Sequence, residues 1–216
     1  MLLAVDTALG ACSVALLDGD GVRAHICEPM ERGHAERLAP MVEEAMRGAN
    51  FAQLTRLAVT TGPGTFTGQR VGLAFMRGLR LALGVPLIGV TTLEVMADAA
   101  MAKSAKRRAA AIHDARRDEA YLLLKDGDEV VQPPIVLPFT DAVARIRAFG
   151  PCALAGTGAD LAVQSLGYGF TLTAIRQPAA LWVGRLARDM PVPQQAPGPL
   201  YLRAPDAKLP GGKALV

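Results

Sequence analysis

Histidine, cysteine and aromatic residues are scarce in this 216-residue chain, and each scarcity excludes a chemistry. His25, His34 and His113 include no pair four residues apart, so the spacing that sets two imidazole ligands on one helix face is missing. Cys12, Cys27 and Cys152 are odd in number and widely spaced, with no C-x-x-C pair. They fit a reducing compartment and three small core fillers better than disulfides or a zinc site. No Gly-Lys-Ser/Thr completes a Walker loop, and no G-x-S-x-G elbow exposes a nucleophile. Aromatics are 5% of the chain and Tyr121, Tyr168 and Tyr201 are scattered, which leaves no stacking platform for single strands. Apolar runs stop well short of the roughly 18 residues that a membrane span requires. Met1–Asp6 lacks a basic leader region and a cleavage site, so it reads as a strand, and a cytoplasmic location is expected. A formal charge of +3 is too mild for a dedicated nucleic-acid binder.

What the chain has in surplus is apolar surface. Hydrophobic residues reach 51% against 20% charged, and the mean hydropathy is +0.26. Without a membrane span, that surplus must go into a core or onto a partner.

The organisation begins with an antiparallel meander. Leu2–Val5 and Ser13–Leu17 are short apolar runs, and Asp18-Gly19-Asp20-Gly21 signals a hairpin into a third strand over Val22–Cys27. A helix is expected over Ala35–Arg47, where Leu38, Met41, Val42, Ala45 and Met46 draw one stripe. Pro40 requires either a start near Leu38 or a kink. Leu57–Thr60 is a fourth strand. A second helix follows over Gly68–Leu83, with Thr67 as N-cap and Gly84 as stop. Pro86–Val90 is a fifth strand, and Thr91 or Thr92 caps a third helix. The order βββαβαβα predicts a mixed sheet with helices packed on it.

Ala102–Arg108 reads as a helix end or linker and marks a boundary. The predicted units are therefore 1–104, 105–190 and a Pro/Gly-rich extended tail, 191–216. In the second unit, strands are expected at Ala109–Asp114, Tyr121–Lys125, Ala153–Ala155 and Phe170–Thr173. Asp126-Gly127-Asp128 reads as a turn, and helices at Asp141–Phe149 and Ala179–Asp189. The tail holds six prolines and three glycines, a density that prevents regular structure.

Two local signals carry chemistry. Gly62-Pro63-Gly64 between a strand and a helix start is either a phosphate-holding nest of backbone amides or a tight turn that permits close packing. Asp6-Thr7 at the end of the first strand either holds a Mg²⁺-bound water or caps a turn. The second helix raises a different question. It has small residues at Ala74, Gly78 and Ala82 and an apolar set that wraps nearly all round. Such a helix is buried on more than one side, against its own sheet and against either the rest of the domain or a second subunit. The run Lys103–Arg108 is either solvated or a contact for RNA phosphates.

Six ordered segments resemble one family. They are Leu3-Ala4-Val5-Asp6-Thr7, Cys12–Leu16, His34-Ala35-Glu36-Arg37-Leu38-Ala39-Pro40-Met41, Gly62-Pro63-Gly64-Thr65-Phe66-Thr67-Gly68, Val85–Val90 with Leu93-Glu94, and Asp114-Ala115-Arg116-Arg117 with Tyr121. They resemble the TsaB (YeaZ) family, which serves the bacterial machinery making N6-threonylcarbamoyladenosine in tRNA. The match is dense over residues 2–121, and Tyr201-Leu202-Arg203 is its last familiar piece. The resemblance implies an α/β, actin-like fold of the sugar kinase/Hsp70, ribonuclease H-like type, in two lobes of mixed sheet with helices. It also implies a paralogue, the catalytic subunit TsaD, whose metal-binding histidines stand where this chain has Thr92 and Met96. Neither replaces an imidazole on a hard or borderline cation, so no metal, no cofactor and no catalytic residue is expected here.

The role so implied is a non-catalytic scaffold. It would pair with TsaD through its first two helices, with a TsaE-type ATPase and, indirectly, tRNA in the same complex, and form homodimers alone. Threonylcarbamoyl-adenylate would be the donor used by TsaD. Expected interface residues are Leu38, Met41, Val42, Arg70, Leu73, Phe75, Met76, Arg77 and Arg80. Two alternatives stay open. One is an ATP-dependent phosphotransferase of the same superfold, using Asp6, Thr7, Gly62, Gly64 and a remnant loop at Gly156-Thr157-Gly158. The other is a metallopeptidase-like protein, against which the missing ligands and nucleophile argue.

Overall fold

A computed structural model of the chain describes residues 1–203; the part of the expected tail from residue 204 on lies outside the described residues. The first sheet is built from β1 (Leu2–Asp6), β2 (Ala11–Asp18), β3 (Gly21–Pro29), β4 (Arg56–Thr60) and β5 (Leu87–Val90), in the order β3-β2-β1-β4-β5. The meander β1–β2–β3 is antiparallel, while β4 and β5 join β1 in parallel. β1 is buried on both faces, which is why it reads as an unbroken apolar run rather than an alternating one. α1 (His34–Ala45) and α2 (Phe66–Leu83) cover one face, with Leu38, Met41, Leu73 and Met76 against Leu3, Val14 and Leu57.

The second half repeats the plan. β6 (Arg108–Arg116), β7 (Glu119–Asp126), β8 (Glu129–Pro138), α4 (Phe139–Phe149), β9 (Ala153–Ala155), α5 (Ala159–Ser165), β10 (Thr171–Leu172) and α6 (Ala180–Asp189) again run βββαβαβα. Their sheet has the matching order β10-β9-β6-β7-β8, with the same antiparallel and parallel pairings. This is the two-lobed α/β architecture of the actin-like fold.

The closing helix of each half packs on the sheet of the other. α3 (Thr92–Ser104) sets Leu93, Met96 and Ala100 against Ala109, Ala111 and Leu123 of the second sheet. α6 sets Ala180, Val183 and Ala187 against Leu2, Ala4 and Leu17 of the first. Polar contacts hold the exchange. Lys125 Nζ on β7 lies 2.7 Å from Asp98 Oδ1 on α3. Arg56 Nη1 on β4 donates to the carbonyls of Ala187 and Met190 at 2.7 Å each, capping the C-terminal end of α6.

Several expectations are corrected. α1 neither starts at Leu38 nor breaks at Pro40; Pro40 lies on the exposed side, so the Glu36 carbonyl it leaves unpaired belongs to an exposed residue. The cap of α2 is Thr65, whose Oγ1 accepts the Gly68 amide at 3.1 Å, and not Thr67. Thr91 caps α3, with Glu94 closing the capping box. β8 and α5 are elements that the sequence reading passed over. β8 carries Pro133 and Pro134, which an edge strand tolerates because one side of its ladder is unpaired. Cys12 and Cys152 fill cores as expected, whereas Cys27 is exposed on β3. No helix among the described residues is long and apolar enough to cross a membrane.

Candidate functional site

Strand ends and the Gly-rich loop meet at the C-terminal edge of the first sheet. Asp6 is wholly buried there. Its Oδ1 accepts from Thr60 Oγ1 at 2.6 Å and from the Ala8 amide at 3.2 Å, while Oδ2 is buried without a partner. Burial pushes its carboxyl up to about 7, although the Thr60 and Ala8 hydrogen bonds pull the other way.

Thr7 is committed to α2. Its Oγ1 donates to the Gly68 carbonyl at 2.7 Å and accepts the Gly72 amide at 3.0 Å. The loop Gly62-Pro63-Gly64 folds back on the chain after β1. A Cβ on Gly64 would stand 2.2 Å from the Ala8 carbonyl oxygen, and one on Gly62, at φ +110°, would stand 2.7 Å from the Gln69 side chain. Two of the amides that a phosphate nest would aim outward are used within the chain: Thr65 N donates to the Ala8 carbonyl at 2.8 Å and Gly68 N to Thr65 Oγ1. The glycines therefore serve close packing. Of the two readings of this loop, the geometry favours the tight turn.

Thr92 and Met96 also have structural tasks. Thr92 Oγ1 donates to the Pro63 carbonyl at 2.6 Å and its amide to the Gly62 carbonyl at 2.9 Å, fastening the loop from α3. Met96 is buried between the lobes. Among the described residues no group of three or more His, Cys, Asp or Glu is placed to hold a metal ion. His34 is buried with Nε2 3.2 Å from the Leu9 carbonyl, which assigns the ring proton to Nε2. His113 is buried at the end of β6, and desolvation pushes it down to about 4. The loop Gly156-Thr157-Gly158 packs on β6: the Gly158 amide donates to the Ile112 carbonyl at 3.1 Å, and Thr157 Oγ1 accepts the Asp114 amide at 3.1 Å.

The basic run is largely engaged. Arg107 and Arg108 both pair with Asp126, and Lys106 Nζ reaches the Gly169 carbonyl at 3.5 Å, so the run braces the second sheet.

The remaining site is the outer face of α2. Of the residues expected at an interface, Leu38, Met41, Val42, Leu73 and Met76 are buried in the first core; their side chains pack the helices on the sheet and do not reach the surface. Phe75 and Arg80 are half-buried, and Arg70 and Arg77 are exposed. The outermost stripe is Ala74, Gly78, Leu81 and Ala82, with Leu81 78% exposed and nothing within 4 Å of a Cβ placed on Gly78. Phe66, 51% exposed, continues the stripe at the N-terminal end. The spacing of the small residues was the visible signal for this face; the large apolar residues between them pointed inward.

One flank of the stripe is α1, reached through Val71, Phe75 and Leu79. The other is the segment after α6. Arg77 Nη2 donates to the Pro197 carbonyl at 2.8 Å, the Leu200 amide to the Thr61 carbonyl at 2.7 Å, and Arg70 Nε to Tyr201 Oη at 2.8 Å. The Arg70 guanidinium sits 3.4 Å over the Phe66 ring, which stacks on Tyr201 with centroids 5.9 Å apart. The described part of the tail is therefore irregular but wraps against the body.

Residues 25–153 match the family model described as "TsaD: tRNA N6-adenosine threonylcarbamoyltransferase". A 130-residue stretch is 42% identical to the tRNA threonylcarbamoyladenosine biosynthesis protein TsaB of Escherichia coli K12, covering 59% of this chain and 56% of that protein. The chain spans little more than half the length of the curated relatives it matches at this identity. The solved structure of YeaZ from Pseudomonas aeruginosa is 32% identical with a TM-score of 0.77, over 87% of this chain and 90% of that one. A second Pseudomonas aeruginosa structure, described as an uncharacterized protein with similarity to peptidase YEAZ, is 33% identical with a TM-score of 0.82, over 94% and 99%.

Proposed function

The chain belongs to the TsaB/YeaZ family, within the wider family of the TsaD model, and from that premise we propose that it is a non-catalytic subunit in the biosynthesis of N6-threonylcarbamoyladenosine in tRNA. Its task in this reading is to hold a TsaD-type catalytic subunit in its working form, in the cytoplasm, with a TsaE-type ATPase in the same assembly. tRNA is met through the complex rather than gripped by this chain, in keeping with the mild charge of +3. Alone, the chain pairs with itself through the same face.

The observation that carries the reading is the outer face of α2. A helix whose exposed stripe is Ala74, Gly78 and Ala82, bordered by exposed Phe66 and Leu81, lets a second backbone approach closely and bury apolar side chains beside it. About 800 Å² per partner is enough for a stable association. Chemistry has no comparable support: Asp6 is buried, Thr7 and the Thr65 and Gly68 amides are internally bonded, and Thr92 fastens a loop.

The test is co-purification with a TsaD-type subunit, using Gly78→Glu as the variant. Gly78 faces open space, so the glutamate leaves the fold intact but puts a charge at the contact. Association lost with an unchanged thermal midpoint supports the reading. Normal association of the variant, or tRNA that keeps its threonylcarbamoyl modification when the gene is removed, overturns it.

A further inference from the structure

After α6 the chain could leave the body at Pro191; instead it returns along α2. Val192 lines a groove of about 460 Å³ with Arg80, Leu81, Val85 and Pro86 at the C-terminal end of the helix. Pro197 packs over Gly89, where a Cβ would stand 2.5 Å from the proline's own. Tyr201 closes on Phe66 and Arg70 at the N-terminal end. Arg203 then reaches the second lobe, where Nη1 donates to the Ala115 carbonyl at 3.0 Å and the guanidinium pairs with Glu119. Irregular backbone is anchored here at Pro197, Leu200, Tyr201 and Arg203, each held by parts of the body that precede it by more than eighty residues.

These anchors change what the α2 face is. Arg70 and Arg77 look, in sequence, like charges offered to a partner, yet both already hold the segment. Val192, 57% exposed, and Tyr201, 44% exposed, bring apolar surface to the edge of the stripe next to Leu81 and Phe66. So large exposed apolar side chains of α2 and of the returning segment meet at both ends of the helix, Val192 beside Leu81 and Tyr201 against Phe66, with the small residues Ala74 and Gly78 between them. Patches of that kind mark contact surfaces.

We propose that residues 191–203 are a strap that forms the second flank of the docking groove, opposite α1, and that the partner's helix beds on strap and α2 together. Arg70 and Arg77 are then positioning residues for the strap and make no bond of their own to the partner. This rests on the function proposed above and commits to the same occupant, a helix of the TsaD-type subunit. That occupant fits because the matched family model spans α1 and α2, so a protein of that family carries corresponding helices and can meet this chain in a pseudo-twofold arrangement.

Isothermal titration of the full chain against the TsaD-type subunit tests the inference with three variants. Leu81→Asp probes the helix; Val192→Asp and Tyr201→Ser probe the strap. Leu81 and Val192 are exposed, so the thermal midpoints of those two variants should stay within about 2 °C of the parent, whereas Tyr201→Ser also gives up the contacts to Phe66 and Arg70. The expected result is an affinity loss of about tenfold or more for every variant. Strap variants that bind within about twofold of the parent, while Leu81→Asp loses tenfold, overturn the strap and leave the α2 reading standing. Parent-like binding by all three overturns both.

Discussion

Thr7 and Gly72 are bonded across the join between the first strand and the second helix, with the Gly72 amide 3.0 Å from Thr7 Oγ1. The same oxygen donates to the Gly68 carbonyl at 2.7 Å, so one hydroxyl satisfies two polar groups on the buried side of α2. This is why the helix tolerates glycine at 72: a Cβ there would stand 2.6 Å from Thr7 Oγ1 and 3.4 Å from Val59 Cγ2. Gly72→Ala should destabilise the chain by about 1–3 kcal/mol through overpacking. Gly78→Ala, with open space around it, should instead be neutral or stabilise by up to about 1 kcal/mol. Urea unfolding midpoints of the two variants check the contrast. Equal shifts would mean that α2 is not seated on Thr7.

Lys125 and Asp98 make the corresponding tie between α3 and the second sheet, and both side chains are largely buried. Burial raises the Asp98 carboxyl, and the hydrogen bond and charge of Lys125 oppose that rise. Removing one partner leaves a buried charge unmatched, so Asp98→Ala should cost about 3–5 kcal/mol. The double variant Asp98→Leu with Lys125→Met should recover most of that loss, because well-packed apolar residues replace such pairs at little cost. A double-mutant cycle read by denaturant unfolding decides it. A double variant as unstable as the single one would show that the pair does more than neutralise itself.

Legibility in the sequence followed period and local chemistry. The stripe Leu38–Met41–Val42 places α1, and Thr91 or Thr92 places the start of α3 to within a residue, because caps and amphipathic spacing are local facts. The Gly-rich loop was found, but its two readings divided on long-range contacts: only the fold shows Gly64 against Ala8 and Thr92 against Pro63. The same limit explains the interface residues. Leu73 and Met76 look identical in sequence to residues offered outward, and only the position of the first sheet decides that they are core while Ala74 and Gly78 are surface. β8 was missed because two prolines argue against a strand unless that strand is known to be an edge. The exchange of α3 and α6 between sheets has no local signature at all.

The last prediction concerns two buried titratable groups that pull stability in opposite directions. Asp6 goes from 3.8 to about 7 on burial, so between those values the folded chain binds more protons than the unfolded one. Its contribution is therefore most favourable at low pH, and is lost as pH rises through the folded value near 7. His113 goes from 6.5 down to about 4, with burial dominant and the charge of Asp114 opposing, so here the unfolded chain binds the extra proton. Its contribution is present above 6.5 and is lost as pH falls toward 4. Each effect is on the order of 3–4 kcal/mol over its full window, and across the shared range they largely offset one another. Asp6→Asn removes the first while keeping an acceptor for Thr60. The variant should gain stability relative to the parent at about pH 8 and lose it more steeply on acidification to about pH 5. His113→Gln should do the reverse, losing less than the parent in acid. Urea unfolding at both pH values gives the two slopes. Profiles parallel to the parent's in both variants would mean that neither group changes its affinity for protons on folding.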